Sequence, residues 1–429
     1  MTKKKVDDLY FQLFCEKNSD GTKHLRLRGK ELYQRFGKRL GPNEMPALAS
    51  FLNKNPEITS LDLAYNDLQD EGIKILAEEF FDRPNNIVNI NLLHCDLHAE
   101  GLKRLSSAKH LNFQIIRLIG NKLGAEGARY IGTILENCPD LKNLDIGETD
   151  QTLESIESLL MMIEKSQLKS INISRIIPNS YYSKYNNSTL ADDLGVLLKL
   201  NTSLEELRVQ KCEFDGHDVE LLLGGLKVHI NLKMLDLTAN KIGDDGVLIL
   251  CHWLKTRPSL MALQISANDI TIVGGQALGL VLPFTRIRLL DLHNNKIQDK
   301  GLAEIFDTIK KSTQMRYLYI WGNYLGPITL AKIEKLLESG VLEQNNIDVK
   351  VYYVDGKRYG AYYPTNQFTQ RCYSIMEYGC PPELKIKRNK IRHPYAQPRV
   401  LIDFNFFDQY PPVDESLGFK VPFAALEDL

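Results

Sequence analysis

Between residues 58 and 340 the chain repeats one arrangement of hydrophobic and polar positions, L-x-x-L-x-L-x-x-N-x-L, ten times. Its first hydrophobic position falls at Ile58, Ile87, Phe113, Leu141, Leu168, Leu204, Leu232, Leu260, Ile287 and Met315, a period close to 28 residues with one interval of 36. A fixed period of that size marks stacked units rather than independent domains. In Leu232-Lys-Met-Leu235-Asp-Leu237-Thr-Ala-Asn240-Lys-Ile242, the alternation about Leu235 and Leu237 predicts a short strand with one buried face. Gly243-Asp-Asp-Gly246 then predicts a turn, and Val247, Leu250, Trp253 and Leu254 recur at helical spacing before Pro258. Each unit is therefore predicted to run strand, turn, helix, turn. A helix is about 10 Å wide while paired strands lie about 4.8 Å apart, so stacking bends the array. The expected fold is an α/β solenoid, a horseshoe or arc, with parallel strands on the concave face and helices on the convex face.

The ninth position of the unit reads Asn66, Cys95, Asn121, Thr149, Ile176, Cys212, Asn240, Asn268, Asn295 and Asn323. It mostly wants a small hydrogen-bonding group, because there the chain leaves the strand and buries backbone groups that a side chain must satisfy. Cys95 and Cys212 are accordingly expected to be structural, even with His94 and His98 near Cys95. Ile176 coincides with the 36-residue interval, where residues 177–188 carry an insertion of about eight residues containing three tyrosines. The array is expected to be interrupted there.

The same pattern sets the boundaries. Residues 1–57 read as an N-terminal cap with a partial repeat, Leu25-Arg-Leu27 and Leu32, and an amphipathic stretch from Met45 to Leu52. Ten repeats occupy 58–340. Residues 341–365 hold two β-rich runs around Asp355-Gly356, a favoured hairpin turn, and are expected to finish the sheet. Residues 366–429 are an extended arm rich in proline and aromatic residues, broken by Pro381-Pro382, Pro394, Pro398 and Pro411-Pro412.

Composition narrows the classes. Of 429 residues, 43% are hydrophobic and 25% charged, with 53 Lys+Arg against 54 Asp+Glu, as in an ordinary core-forming protein. A net charge of −1 gives no long-range field for holding a phosphate backbone, so nucleic acid is an unlikely partner. No run reaches the roughly 18 apolar residues of a membrane helix, and Met1-Thr-Lys-Lys-Lys-Val-Asp-Asp leads into no signal-peptide core. A cytoplasmic location with no membrane partner is expected. The seven cysteines are odd in number and lack CxxC spacing, so reduced, mostly buried thiols are expected rather than disulfides or zinc ligands.

No phosphate-binding loop, nucleophile elbow or zinc-binding His-Glu-x-x-His occurs, so no enzyme, no cofactor and no metal is expected. What the solenoid supplies is a surface. The outward strand positions Asp62, Asn91, Arg117, Asp145, Asn172, Arg208, Asp236, Gln264, Asp291 and Tyr319 form one row, flanked by a second that ends in His293 and Trp321. Both rows are polar through the middle, but the last repeat brings in Tyr317, Tyr319, Trp321 and Tyr324. With His293, these aromatics form the leading candidate contact site, because such side chains bury much area with few rotors. In the arm, Lys385, Lys387, Arg388, Lys390 and Arg392 form a basic run suited to an acidic partner. Phe404, Phe406, Phe407 and Tyr410 are too apolar for a free chain and must bury themselves against the solenoid or a neighbour.

The period, together with Gly124-Ala-Glu-Gly127 and Gly243-Asp-Asp-Gly246 ahead of amphipathic helices, resembles the ribonuclease-inhibitor-like class of leucine-rich repeats over roughly residues 22–340. Three stretches, 171–178, Tyr319-Ile-Trp-Gly-Asn323 and 337–355, are similar to a narrower branch associated with motile cilia. That resemblance implies a non-catalytic protein–protein interaction scaffold, a structural subunit of a large axonemal assembly associated with the radial spokes. A second branch of the class, resembling Ran GTPase-activating proteins, implies instead a regulator of a small GTPase. The missing acidic tail and the aromatic, locally basic C-terminal end argue against it.

Overall fold

A computed structural model describes residues 6–18, 20–29, 39–177, 187–309 and 315–363, with two short strand segments at 386–388 and 400–402. Within these residues twelve strands form one sheet in strict chain order. They are β1 (Cys15–Lys17), β2 (Lys23–Arg26), β3 (Ile58–Asp62), β4 (Asn89–Asn91), β5 (Ile115–Arg117) and β6 (Asn143–Asp145), followed by β7 (Ser170–Asn172), β8 (Glu206–Arg208), β9 (Met234–Asp236), β10 (Ala262–Gln264), β11 (Leu289–Asp291) and β12 (Tyr317–Tyr319). From β2 onward every pairing is parallel, and equivalent positions face each other, as Leu235 faces Leu263 and Leu263 faces Leu290. Helices such as Gly124–Asn137 and Gly243–Leu254 connect the strands, and successive helices pack side by side. This is an α/β leucine-rich-repeat solenoid.

One core runs its length. The two apolar positions flanking each strand's last residue turn inward with the inner face of the following helix: Leu235, Leu237, Val247, Leu250 and Leu254 are all buried. Each such side chain contributes about 1.5–3 kcal/mol on burial, so the core needs no metal or disulfide. The described cysteines are free, with Cys95, Cys138, Cys212 and Cys251 buried.

Where each strand ends, the backbone makes the same excursion. The residue just before the ninth position has a left-handed backbone in all ten repeats: Tyr65, His94, Gly120, Glu148, Arg175, Lys211, Ala239, Ala267, Asn294 and Gly322. Only two of the ten are glycine, and at both the space is closed too: a Cβ on Gly120 would lie 2.1 Å from the His94 ring, and one on Gly322 2.1 Å from Asn294 Oδ1.

Three features depart from the sequence reading. The sheet begins earlier than expected, because β1 folds back antiparallel onto β2 and covers the first open edge. The array is not interrupted at the long interval: β7 pairs with β8 in the usual register, Ile171 opposite Leu207. The added residues lie between the end of that turn and the helix Asn187–Leu200, off the ladder, and 178–186 lie outside the described residues. The C-terminal hairpin, β13 (Val349–Val354) and β14 (Lys357–Tyr362), turns at Asp355 and Gly356 with both φ positive, but forms its own two-stranded sheet instead of finishing the large one. Only Ile347 bridges Leu318, and Asp348 does the capping: its Oδ1 and Oδ2 accept the backbone N–H groups of Ile320 at 2.8 Å and Trp321 at 2.9 Å. A carboxylate with two acceptors replaces the next repeat's carbonyls, so no further strand is needed.

Candidate functional site

Two rows of polar side chains follow from the repeat. The first is the ladder at the ninth position. Asn240 Nδ2 donates to the carbonyls of Val209 at 2.9 Å and Leu237 at 2.8 Å, while its Oδ1 accepts from the N–H of Cys212 at 2.9 Å and Phe214 at 3.1 Å. One side chain thus ties its own turn to the previous repeat. Asn66, Asn121 and Asn295 do the same, donating to their own and the previous repeat's carbonyls. Asn268 and Asn323 also bridge, accepting from Ile242 and Ile297 N–H. Cys95 Sγ donates to the Leu63 carbonyl at 3.1 Å, and Cys212 Sγ to that of Gln210 at 3.4 Å. Burial pushes both thiols up, that of Cys212 to about 12, which holds them protonated and unreactive.

The second row lies on the sheet face opposite the helices, where the last residue of each strand alternates with core leucines. Its members meet in register: Arg117 beside Asp145, Asp145 beside Asn172, Arg208 beside Asp236, Asp236 beside Gln264, Gln264 beside Asp291. Arg117 Nε contacts Asp145 Oδ2 at 3.0 Å and Asn172 Nδ2 donates to Asp145 Oδ1 at 2.9 Å. Gln210 Nε2 donates to Asp236, and His293 Nδ1 meets Asp291 Oδ1. Burial pushes the Asp62, Glu206 and Asp236 carboxyls up and the Arg208 guanidinium down. Burial would also lower the His293 imidazole, but the hydrogen bond and charge of Asp291 outweigh it and raise its pKa. Two amide atoms in the row, Asn91 Nδ2 and Gln264 Oε1, are buried without a hydrogen-bond partner among the described residues.

The aromatic contact site expected at the last repeat is not a surface cluster. Tyr317 is 5% and Tyr319 1% exposed. Ring type is not the reason: Asp62, Asp145, Asp236 and Asp291 at equivalent places are equally buried, since each lies between neighbours about 4.8 Å away on an inward-curving face. Trp321 is half-buried and tilts against Tyr362 of the hairpin, ring centroids 5.8 Å apart, so the chain's own cap takes it. Tyr324, 64% exposed, and the half-buried His293 remain accessible. Sequence reasoning missed an exposed pair on the hairpin, Tyr352 and Tyr359, which stack across β13 and β14 at 5.8 Å. The alternation of those strands was the available signal. Of the arm residues, Lys387 and Arg388 belong to a strand, β15 (Ile386–Arg388), that pairs antiparallel with β16 (Val400–Ile402). Lys385, Lys390, Arg392, Phe404, Phe406, Phe407 and Tyr410 lie outside the described residues. Among the described residues no group of His, Cys, Asp and Glu is placed to hold a metal, and no helix is long and apolar enough to cross a membrane.

The fold sets one polar side chain per repeat along the sheet face opposite the helices. The fold is that of a leucine-rich-repeat solenoid, and the family model "Leucine Rich repeat" matches residues 54–77, 228–251 and 287–306. It is similar to leucine-rich repeat-containing protein 34 of Mus musculus, 29% identical over 49% of this chain and 50% of that protein. It is also similar to ribonuclease inhibitor of Mus musculus, 27% identical over 65% of this chain and 61% of the inhibitor. A third relative is NACHT, LRR and PYD domains-containing protein 14 of Mus musculus, 26% identical over 61% of this chain and 26% of that protein. The matches thus span between a quarter and three fifths of these relatives' lengths. Repeats of this kind imply a protein–protein interaction scaffold.

Proposed function

We propose that the chain is a non-catalytic structural subunit of the motile-cilium axoneme, associated with the radial spokes, and that it works by holding other axonemal proteins on its concave face. The carrying observation is the continuous polar row from β3 to β12, rigidly spaced by the amide ladder and mixed in sign, which suits an extended protein partner. The branch of the repeat class that residues 171–178, 319–323 and 337–355 resemble supports the ciliary setting. The test is affinity capture of the full chain from a ciliated-cell extract, with quantitative mass spectrometry, alongside a tagged chain imaged in ciliated cells. Radial-spoke subunits should be enriched at least tenfold over an unrelated bait, and the tag should run along the axoneme. Enrichment of a small GTPase without axonemal subunits, or a tag absent from cilia, overturns the reading.

A further inference from the structure

The end of each helix and the residues leading into the next strand line one rim of the solenoid, opposite the rim that carries the amide ladder. The eight residues before each unit's first hydrophobic position fall on this rim, and their charge changes along the array. In the first four units they carry Lys54, Arg83 and Lys109 against Glu57, Glu79, Asp82, Glu136 and Asp140. In the next five, residues 160–167, 196–203, 224–231, 252–259 and 279–286, they carry Lys165, Lys199, Lys227, Lys255, Arg257 and Arg286 against Glu164 alone. All six cations are exposed, and none forms an ion pair among the described residues, whereas in the first units Lys54 meets Asp8 and Asp82 meets Arg104.

Apolar exposure follows the same division. The five basic segments hold seven large apolar side chains that are 48% to 75% exposed, among them Leu200, Val228, Ile230, Leu280 and Phe284. In the first four segments Phe51, Leu52, Phe80, Phe81, Leu105 and Ile134 are all buried. Scattered apolar residues are ordinary on a protein surface, but their concentration on one rim beside unpaired charges of one sign marks an interaction site. The platform beneath them is tightly built. The helices Asn187–Leu200 and Gly216–Leu226 meet through glycines, where a Cβ on Gly225 would lie 2.1 Å from the Gly195 carbonyl oxygen. Just beyond, His229 Nδ1 and Nε2 lie 2.9 and 2.8 Å from the carbonyl oxygens of Leu198 and Leu204. The ring pins the segment bearing Val228 and Ile230 to the helix end bearing Leu200, so these side chains are preorganised.

We infer that this rim, from the helix Asn187–Leu200 to the helix Ile272–Val281, is a second interface, and that it receives an acidic amphipathic helix of a partner protein. An aliphatic centre edged by cations calls for an aliphatic face edged by carboxylates. The spacing selects a helix. Packed helices sit roughly 10 Å apart, and two turns of a partner helix advance ~10.8 Å, so apolar residues at i, i+7 and i+14 meet successive repeats. An extended segment would present one face every ~6.8 Å and fall out of step. Three steps of the rim span roughly 30 Å, the length of about 20 helical residues. The rim shares no residue with the concave row, so this site is independent of what the concave face holds.

The test uses the full chain and a fluorescein-labelled synthetic helix of about 24 residues, with leucines at i, i+3 or i+4 and i+7 and glutamates between them, read by fluorescence anisotropy. This probe should bind with a micromolar Kd, roughly tenfold or more tighter than a scrambled peptide of the same composition, and added salt should weaken it. Ile230→Asp with Phe284→Asp should weaken binding about tenfold, and Lys227→Glu with Lys255→Glu about five- to tenfold. The melting temperature should be unchanged in both, because all four side chains are exposed. Absence of binding, equal binding by the scrambled peptide, or binding indifferent to both double variants overturns the inference. So does co-sedimentation with vesicles of phosphatidylserine and phosphatidylcholine in place of peptide binding, which would give the rim to an anionic lipid surface. The reading of the concave face survives each of these results, since none of the four substituted residues lies on it.

Discussion

The amide ladder and the concave row are both made of buried polar side chains, one per repeat, yet they are satisfied from different directions. Asn240 meets four backbone groups, that of Leu237 in its own repeat and those of Val209, Cys212 and Phe214 in the one before it, and nothing outside the solenoid is wanted. Asn91, the same residue type at the same interval, uses only its Oδ1, accepting from Leu93 N–H at 3.2 Å, and leaves Nδ2 open. The ladder is closed and repetitive, so six of its ten positions are Asn and two more are Cys95 and Cys212, whose thiols bond within the solenoid. The concave row is open and varied, so it carries whatever individuality the molecule has.

The largest expected effect falls on the closed row. Asn240→Ala strands two buried N–H groups and two carbonyls, and should cost about 3–4 kcal/mol, read as a lowered urea midpoint. A loss under 1 kcal/mol would erase the distinction drawn between the rows. Next comes the cap. Burial holds the Asp348 carboxyl at about 7, against 3.8 for the exposed group, with the Ile320 and Trp321 N–H groups opposing the shift. The folded state therefore binds a proton more readily, and the associated stability is complete below about pH 4 and lost as pH rises through about 7. Asp348→Asn removes that slope, so wild type should lose more melting temperature than the variant between pH 5 and pH 8. Parallel curves would show that the cap does not titrate there. The smallest effect is expected for Asn91→Ala, below about 1 kcal/mol, since one bond is lost while an unpartnered group disappears with it. A cost equal to that of Asn240→Ala would place both rows under one rule.

The ladder, the strand positions and the helix faces were legible in the sequence because a period of about 28 residues averages out local ambiguity, and each repeat restates the same packing problem. The caps were less so. Asp348 is one aspartate among many until Ile320 and Trp321 are seen to lack a next strand, and β1 depends on an edge that only the assembled sheet possesses. For Tyr317 and Tyr319 alternation identifies a face, whereas exposure on that face is set by residues one repeat away in sequence. The long interval misled for the opposite reason: extra residues between turn and helix leave the register of β7 and β8 untouched.

The ladder also fixes how the molecule answers to force. Asn240 binds no further back than Val209 and Asn295 no further back than Ile265, so mechanical load passes from repeat to neighbouring repeat and never across the whole chain. Pulled by its ends, such a protein gives way as a series of near-equal links, each releasing about 28 residues, or roughly 100 Å of contour at ~3.5 Å per residue. After each rupture the remaining links are intact and can take the released one back. That is the behaviour of a reversible extension joint rather than of a brittle strut.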